Sequence, residues 1–332
     1  MQKDNDFILK AKQIHQQAWV FDAHCDTICR MTNEGYSLEK SNKTGHLDIY
    51  RMQEGGIDIQ IFAVFIEDIY KPDRSLRRAL QLINNFDQEI KKNHSYISLA
   101  RNFSQLQEIK SSGKIAAILS IEGGEVLEGE LGILNILYQL GVRLLTLTWN
   151  QRNQIADGIE EARTGSGLTN FGLQVIKEMN RLGMIIDVSH LSEKGFWEVV
   201  EQSQAPIVAS HSNCYSLCSH PRNLKDEQLK AIADKRGVIG ITFVPRFLTE
   251  KKGKITIEEV IKHIDYLVEK IGIDYVGLGS DFDGTKKLPF GLEGVEKYPY
   301  LTIELLKRGY RKEDINKILG NNLLRVFKEV VG

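Results

Sequence analysis

The sequence predicts a (β/α)8 barrel, which is a closed parallel sheet of eight strands surrounded by helices. Eight short apolar runs recur along the 332 residues, segments with helical periodicity separate them, and no linker or low-complexity stretch interrupts the pattern. Alternating strands and helices are typical of a parallel sheet with helical crossovers, and eight strands favour closure into a barrel. We therefore expect residues 1–332 to form a single domain, with two successive α/β domains as the alternative.

The predicted strands are marked by glycines. Six of the eight runs follow a glycine that ends a helix-like segment, and glycine readily adopts the left-handed backbone that stops a helix. Short runs rich in β-branched residues are typical of strands buried on both faces. The six glycines are Gly56, Gly113, Gly141, Gly183, Gly237 and Gly272, and two further runs, residues 18–24 and 206–211, lack one.

The predicted helices are marked by apolar residues at steps of three and four, the spacing of one helical face. The clearest segment is residues 256–271, where Thr256 and Glu259 form a capping box ahead of the apolar positions. Another runs through residues 76–90. Each of these segments lies between two predicted strands, as a barrel requires.

Charge and composition argue against two classes of partner. Net charge is −1 with 26% charged residues, so the chain lacks the basic surplus that attracts nucleic acid. No apolar run approaches the roughly 18 residues of a membrane span, and neither terminus has a signal-peptide or lipid-anchor pattern. Four cysteines without such a signal are typical of reduced thiols. We expect a cytoplasmic protein without nucleic-acid or membrane partners.

Polar residues with metal-binding side chains stand at the predicted strand ends. In a (β/α)8 barrel the carboxyl ends of the strands form the active site. These ends carry His24, Asp26, Glu122, Trp149, Asn150, His190, His211 and Asp281. The other five histidines fall in predicted loops or helices, where we expect solvated or capping roles: His15, His46, His94, His220 and His263.

The strand-end residues favour a site for two metal ions. Imidazole and carboxylate suit zinc or a similar divalent ion. Side chains two apart point to one face of a strand, so His24 and Asp26 can reach one ion while Cys25 points away. Three histidines plus carboxylates exceed the ligands of a usual single catalytic zinc, which favours two ions about 3.5–4 Å apart. Glu122 is the expected bridging ligand.

The cysteines offer a competing interpretation. Cys25 and Cys29, like Cys214 and Cys218, have a spacing that a four-thiolate structural zinc site tolerates. Cys25, however, is expected on the strand face opposite His24, and the Cys29 region lacks the glycines of a zinc knuckle. We therefore expect the thiols to act as small apolar side chains.

Several sequence blocks occur together in an order typical of one enzyme family. They are FDAHCDT at 21–27, LSIEGGE at 119–125, TLTWNQRNQIADG at 146–158, IIDVSHLSE at 185–193, ASHSNCYSLCSHPRNL at 209–224 and GLGSDFDG at 277–284. With these blocks the chain, from about residue 20 to 328, resembles the renal (membrane) dipeptidase family of zinc peptidases. The resemblance implies a barrel with a binuclear zinc site.

The resemblance also implies individual roles. The family pattern places the metal ligands on the same five residues that the strand ends select, with Glu122 as the bridge: His24, Asp26, Glu122, His190 and His211. Arg222 matches the arginine that pairs with the substrate's free carboxylate, a task that suits the guanidinium fork. Asp281 matches an aspartate that carries a proton and contacts the substrate's free amine. Asp283 is the alternative candidate for that role.

One position departs from the family pattern. Membrane-anchored members carry a histidine at the end of the strand before Asn150, where it is thought to polarise the scissile carbonyl, and this chain has Trp149 there. The indole offers an N–H donor but no basic nitrogen. Asn150 or Asn153 is the alternative donor to the substrate.

The resulting hypothesis is a zinc-dependent dipeptidase with two zinc ions per chain. A hydroxide that bridges the metals would attack the peptide bond of a dipeptide with free amino and carboxyl termini. Glu122 and Asp281 are the expected catalytic residues, and the expected substrate contacts are Arg222, Asp281, Trp149 and Asn150. The alternatives are a related binuclear metal amidohydrolase acting on another amide or a lactone, and a non-catalytic barrel. A homodimer is considered as the assembly.

Overall fold

The computed structural model describes residues 2–39, 42 and 44–332, with side chains from residue 6 onward. In this part of the chain nine parallel strands form one sheet, and eight of them close into a ring in the order β1–β2–β4–β5–β6–β7–β8–β9. The strands are β1 Phe21–Cys25, β2 Ile59–Phe65, β3 Ile97–Leu99, β4 Ile115–Glu122, β5 Val142–Thr146, β6 Ile185–Asp187, β7 Val208–Ser212, β8 Val238–Ile241 and β9 Val276–Leu278. The predicted (β/α)8 barrel is confirmed, and all eight predicted strands belong to its ring.

Strand β3 was not predicted. It pairs with the first three residues of β4 and lies outside the ring. A strand of three residues without a preceding glycine leaves too short an apolar run to be recognised.

Helices surround the ring and fill the connections. They are α1 Gln2–Gln17, α2 Thr27–Glu34, α3 Ile49–Gly55, α4 Ser75–Lys92, α5 Phe103–Ser111, α6 Leu131–Leu140, α7 Asn170–Leu182, α8 Glu193–Gln202, α9 Asp226–Asp234, α10 Pro245–Leu248, α11 Ile257–Ile271, α12 Tyr298–Lys307, α13 Lys312–Asn316 and α14 Asn322–Val331. The capping box before α11 is present, with the Thr256 amide donating to the Glu259 carboxylate at 2.9 Å. A π-helical turn, Lys317–Asn321, leads into α14.

The helix-ending glycines behave as predicted at five of the six positions, where φ is positive. Gly237 is the exception, because the left-handed residue there is Arg236, with φ 57°. Gly237 is required for a different reason, since a Cβ atom would lie 2.0 Å from the Ile207 carbonyl oxygen. The backbone just before β8 therefore approaches the backbone just before β7 too closely for a side chain.

The amino-terminal end of the barrel is closed by α14. Side chains from the first residues of the strands fill the interior there. Among them are Phe21, Ile59 and Val208, and they form one apolar cluster with Leu323, Val326 and Phe327 of α14. Those three helix positions are three and four residues apart, so they share one helical face. The helix thus covers the end of the barrel opposite the predicted site.

This arrangement predicts a large stability effect for Phe327→Ala. Phe327 is fully buried, and loss of a buried phenyl ring typically costs about 3–5 kcal/mol because a cavity remains. The free energy of unfolding from urea titration should fall by that amount. Glu329→Gln, on the exposed side of the same helix, should change it by less than about 0.5 kcal/mol. Equal effects of the two substitutions would contradict the covering role of α14.

Candidate active site

His24 is turned into the barrel by a β-bulge. Phe21 and Asp22 pair with Ile59 and Gln60, but Cys25 pairs with Phe62, so β1 contains one extra residue between Asp22 and Cys25. Ala23 belongs to the apolar cluster inside the barrel that also contains Phe21 and Phe327. Cys25 belongs to a second apolar cluster, which lies outside the ring of strands. Without the extra residue, alternation from Ala23 would turn Cys25 inward and His24 outward. The predicted orientation is observed, but the bulge produces it rather than simple alternation.

Strand β7 uses the same device for His211. Val208 and Ala209 pair with Val238 and Ile239, and then Ser212 pairs with Ile241, which leaves one extra residue. The bulge brings His211 beside His24, with 3.9 Å between their ring centroids. Bulges re-aim side chains in this way next to many active sites.

Two further residues reach the site through left-handed backbone. His190 follows β6 with φ 68° and Asp281 follows β9 with φ 64°. Non-glycine residues adopt this conformation rarely and at an energetic cost, although histidine and aspartate do so more often than most. The site therefore holds two residues in conformations that local preference disfavours.

Glu122, the last residue of β4, lies at the centre of the cluster. Its Oε2 is 3.5 Å from His24 Nε2, and its Oε1 is 3.0 Å from His190 Nε2 and 3.5 Å from His211 Nε2. The two carboxylate oxygens thus face two different sets of imidazoles.

On the His24 side, two more carboxylates complete the cluster. His24 Nε2 lies 3.4 Å from Asp26 Oδ2 and 3.9 Å from Asp281 Oδ1. The geometry brings together all five predicted metal ligands and the predicted proton carrier.

The buried His190 and His211 have their tautomers fixed by outer partners. His190 Nδ1 donates to the Asn150 amide oxygen at 2.7 Å. His211 Nδ1 donates to Ser210 Oγ at 2.8 Å, because the Ser210 proton goes to Asp187 at 2.6 Å. Both Nε2 atoms then carry lone pairs and face each other at 2.8 Å. Two lone pairs at this distance repel unless a cation lies beside them.

Buried aspartates on two strands hold the neighbouring strand ends. Asp187 accepts from the Ser210 amide at 2.9 Å as well as from its hydroxyl, next to His211. Asp22 accepts from the amide and hydroxyl of Ser280 at 2.9 and 2.6 Å, next to Asp281. Each aspartate therefore positions a site residue on the adjacent strand.

Burial shapes the protonation of the cluster. It raises the pKa of Glu122 to about 7, although His24 opposes the shift. Burial also raises the pKa of Asp26 and of Asp281. For His190 burial and the charge of Arg222 lower the pKa well below its ordinary value, so that imidazole stays neutral and can act as a ligand.

A cavity of about 550 Å³ opens above the cluster. Arg222 borders it and is 6% exposed; its Nη2 donates to the His211 carbonyl oxygen at 3.1 Å, while its Nε lacks a hydrogen-bond partner in the described structure. Burial lowers the pKa of Arg222 to about 10, which leaves the guanidinium charged at neutral pH. A buried donor without a partner, beside an open cavity, suits a ligand with an acceptor group.

Trp149 and Asn150 also border the cavity. The indole contacts Phe65 edge-on, with 5.0 Å between centroids, and Lys71 Nζ lies 4.9 Å from the indole centroid. The Asn150 amide is engaged at both ends, since its oxygen accepts from His190 and its nitrogen donates to Glu160 at 3.1 Å. Asn150 thus orients His190 directly.

Two of the alternatives left open by the sequence are used elsewhere. Asp283 accepts from Thr27 Oγ1 at 2.7 Å and from Arg30 Nη1 at 3.1 Å, so its carboxylate is bound to helix α2. Asn153 donates to the Leu147 carbonyl oxygen at 2.9 Å and does not border the cavity. Asp281 and not Asp283 faces the cluster, and Asn153 is not available as a donor to the substrate.

Comparison with known proteins identifies the family. The family model described as "Membrane dipeptidase (Peptidase family M19)" matches residues 8–331. The chain belongs to the M19 dipeptidase family.

Relatives of known sequence and structure agree with this family. Dipeptidase tcpJ of Claviceps purpurea (strain 20.1) is 35% identical over 295 residues, covering 86% of this chain and 69% of the relative. Dipeptidase verJ of Clonostachys rogersoniana is 35% identical over 309 residues, covering 89% and 78%. A solved M19 metallopeptidase called dipeptidase AC has 30% identity and a TM-score of 0.89, with 95% of this chain and 99% of that chain covered.

A second solved structure contains a substrate mimic. The metallopeptidase of Rhodobacter sphaeroides, liganded with a phosphinate mimic of the dipeptide L-Ala-D-Ala, has 29% identity and a TM-score of 0.89, with 94% and 99% coverage. As an M19 dipeptidase the present chain is a metallopeptidase, a hydrolase of peptide bonds.

The M19 site residues fit a divalent metal. Both ring nitrogens of His24 are buried without a hydrogen-bond partner in the described structure, and the Nε2 lone pairs of His190 and His211 converge near Glu122. Among the described residues two groups of potential ligands lie within 4.8 Å, one of His24, Glu122 and His211 and one of His24, Asp26 and Asp281. Neither contains a cysteine, and all four cysteines are free thiols.

Sequence reasoning missed three residues of the M19 site. Asp187 has a signal in the sequence, since it is a charged residue inside an otherwise apolar strand. His220 was expected to be a solvated or capping histidine, but it borders the cavity and its ring contacts that of Phe247 at a tilt, with 4.4 Å between centroids. Arg246 borders the cavity as well and has no signal in the sequence.

None of the described helices has the length and apolarity needed to cross a bilayer.

The Asp187–Ser210–His211 chain predicts a matched pair of serine variants. Ser210→Ala removes both the acceptor for His211 Nδ1 and a donor to Asp187, and loss of such an outer contact typically lowers metal affinity about 10- to 100-fold. Ser212→Ala removes a buried hydroxyl for which the described structure has no partner, so affinity should stay within about twofold of the wild-type value. Competition with a chelating dye measures the metal affinities of both variants. Equal affinities would contradict the proposed tautomer control.

Proposed function

We propose that this M19 dipeptidase is zinc-dependent and hydrolyses dipeptides whose amino and carboxyl termini are both free. The observation that carries the proposal is the buried Arg222 guanidinium, with a free Nε, bordering the same cavity as the Glu122 cluster. A cation and a group of carboxylates that border one cavity match the two charges of a dipeptide.

The proposed ligands of two zinc ions are His24, Asp26, Glu122, His190 and His211, with Glu122 shared. Nitrogen and oxygen donors without thiolates suit zinc. Support for sharing comes from the two oxygens of Glu122, which face His24 on one side and the His190/His211 pair on the other. When bound, the metals would supply an activated water and a Lewis acid for the carbonyl oxygen.

Arg222 would hold the substrate's carboxylate. Its position in the cavity wall leaves the guanidinium open on one side, and a bidentate pair with a carboxylate would give its unpartnered Nε an acceptor. A tripeptide would bring an uncharged amide to this point, so the guanidinium would lose its partner. This contact limits the substrates to dipeptides.

Asp281 would bind the substrate's amine and move a proton to the leaving nitrogen. Its carboxyl is close to His24, and burial raises its pKa, which helps it to hold a proton near neutral pH. Glu122 would assist by placing its carboxylate beside the imidazoles of His24, His190 and His211. Trp149 would contribute its indole N–H to the cavity wall, while Asn150 keeps His190 in position.

The remaining expectations from the sequence stay predictions. They are the cytoplasmic location, the homodimer and the single domain over residues 1–332.

The family of tcpJ and verJ includes fungal dipeptidases, and the Rhodobacter sphaeroides relative was liganded with an L-Ala-D-Ala mimic. Both configurations of the second residue therefore belong in any substrate panel.

The proposal predicts discrimination by the carboxylate. Zinc-loaded protein should cleave Ala-Ala at least about 100-fold faster, in kcat/KM, than Ala-Ala amide, tri-alanine or N-acetyl-alanine. The amide lacks the carboxylate, N-acetyl-alanine lacks the amine, and tri-alanine places an uncharged amide where Arg222 would bind the carboxylate of a dipeptide. Arg222→Met should lower kcat/KM for Ala-Ala about 100-fold and abolish the preference over the amide. The melting temperatures of the wild-type protein and of Arg222→Met are compared to check that the variant is folded. Comparable wild-type rates on all four compounds would refute the two-ended site and favour a broader amidohydrolase.

The proposal also predicts the metal content. After zinc loading and gel filtration, elemental analysis should find two ions per chain, and His24→Asn should lower this number by at least one. His94→Asn, which changes an exposed histidine away from the cluster, should leave it unchanged. A wild-type content of one ion or none would refute the binuclear site.

A further inference from the structure

A second arginine borders the cavity beside the first. Arg246, in α10, reaches the same cavity as Arg222. The guanidinium carbons of Arg246 and Arg222 lie 4.8 and 5.6 Å from the centroid of one ring, that of Phe247. Two cations therefore lie beside a single aromatic side chain in the cavity lining, and one of them is Arg222, which the proposed function pairs with the substrate carboxylate.

The acidic side chains around the outer cavity already have partners. Glu67 pairs with Arg78 at 2.5 Å, Asp283 with Arg30 at 3.1 Å, and Glu160 accepts from Asn150 at 3.1 Å. These contacts satisfy much of the negative charge outside the metal-ligand cluster.

Arg246 differs from these residues. It is exposed, and in the described structure its guanidinium makes no hydrogen bond or ion pair, only the contact with Phe247. A dipeptide with a neutral second side chain brings one carboxylate to this end, whereas two guanidinium groups are present. One cation is then left without an anion.

We propose that Arg246 selects dipeptides whose second, carboxyl-terminal residue has an acidic side chain. The inference rests on the proposed function, since it assumes that Arg222 holds the main-chain carboxylate. The two carboxylates of a terminal aspartate or glutamate are separated by only a few bonds, and both guanidinium carbons lie within 5.6 Å of one ring centroid. Arginine suits the task because its fork binds a carboxylate through two parallel hydrogen bonds.

The neighbouring His220 fits this preference without adding charge. Its ring contacts that of Phe247 at a tilt, and burial together with Arg246 and Arg222 lowers its pKa, so it is neutral at pH 7. Its Nδ1 accepts from the Arg222 amide at 3.2 Å, which leaves the Nε2 proton free to donate. The corner thus combines two cations with one neutral donor.

The test compares isosteric substrates on the zinc-loaded full chain. The pairs are Ala-Asp with Ala-Asn and Ala-Glu with Ala-Gln, each with the second residue in L and in D configuration. We expect kcat/KM to favour the acidic member of at least one pair about tenfold, mainly through KM, because the contact forms on binding. Asp-Ala and Asn-Ala, with the charge on the first residue, should not show this preference.

Three variants assign the preference to Arg246. Arg246→Gln should reduce the acidic-to-amide ratio to about one, and Arg246→Glu should invert it and favour Ala-Lys over Ala-Asp. Arg163→Gln removes a charge from an exposed arginine outside the cavity lining and should leave the ratio unchanged. Because Arg246 is exposed, melting temperatures should change little.

The outcomes separate the two proposals. Cleavage of Ala-Ala without any preference for acidic second residues, or a preference that survives Arg246→Gln, overturns the role of Arg246 and leaves the dipeptidase proposal standing. No cleavage of any dipeptide by the zinc-loaded protein overturns both.

Discussion

The central constraint on this molecule is the burial of a carboxylate, Glu122, among imidazoles at the mouth of a barrel. A charge removed from water must be matched by nearby opposite charge or by hydrogen bonds, or else it takes up a proton. Here burial raises the pKa of Glu122 to about 7, close to the point where it would be lost as an anion. A bound cation would lower the pKa of Glu122 again. The site therefore suits an added positive charge, because its own side chains supply only part of the positive charge that the buried carboxylate needs.

Much of the surrounding structure serves to hold the imidazoles in place. The bulges in β1 and β7 turn His24 and His211 inward. Asp22 and Asp187 lie one layer further out, and each anchors a serine that directly precedes a site residue on the next strand. The repeated use of one bond pattern on two sides of the ring explains how side chains from distant parts of the chain converge.

The sequence predicted the eight ring strands and the residues at their ends because both depend on local pattern. Apolar runs after glycines mark strands, and a polar residue at the end of such a run is visible in the sequence. The predicted orientation of His24 came from the alternation of side chains between His24 and Asp26. The same alternation, started from the inward-facing Ala23, would have turned His24 outward. A bulge inserts one residue into a strand pair and leaves no mark in a single sequence. Arg246 was missed for a related reason, because only the folded chain brings α10 beside the Arg222 loop.

The closure of the barrel by α14 has a consequence for how such a protein can change over evolutionary time. The apolar cluster around Phe327 lies at one end of the strands, and the residues that perform chemistry lie at the other. Strain at His190 and Asp281 lowers stability at the reactive end. Substitutions at the closed end can restore it without touching the cavity, so the two ends can adapt separately, and a shift in substrate preference need not be limited by what the fold can tolerate.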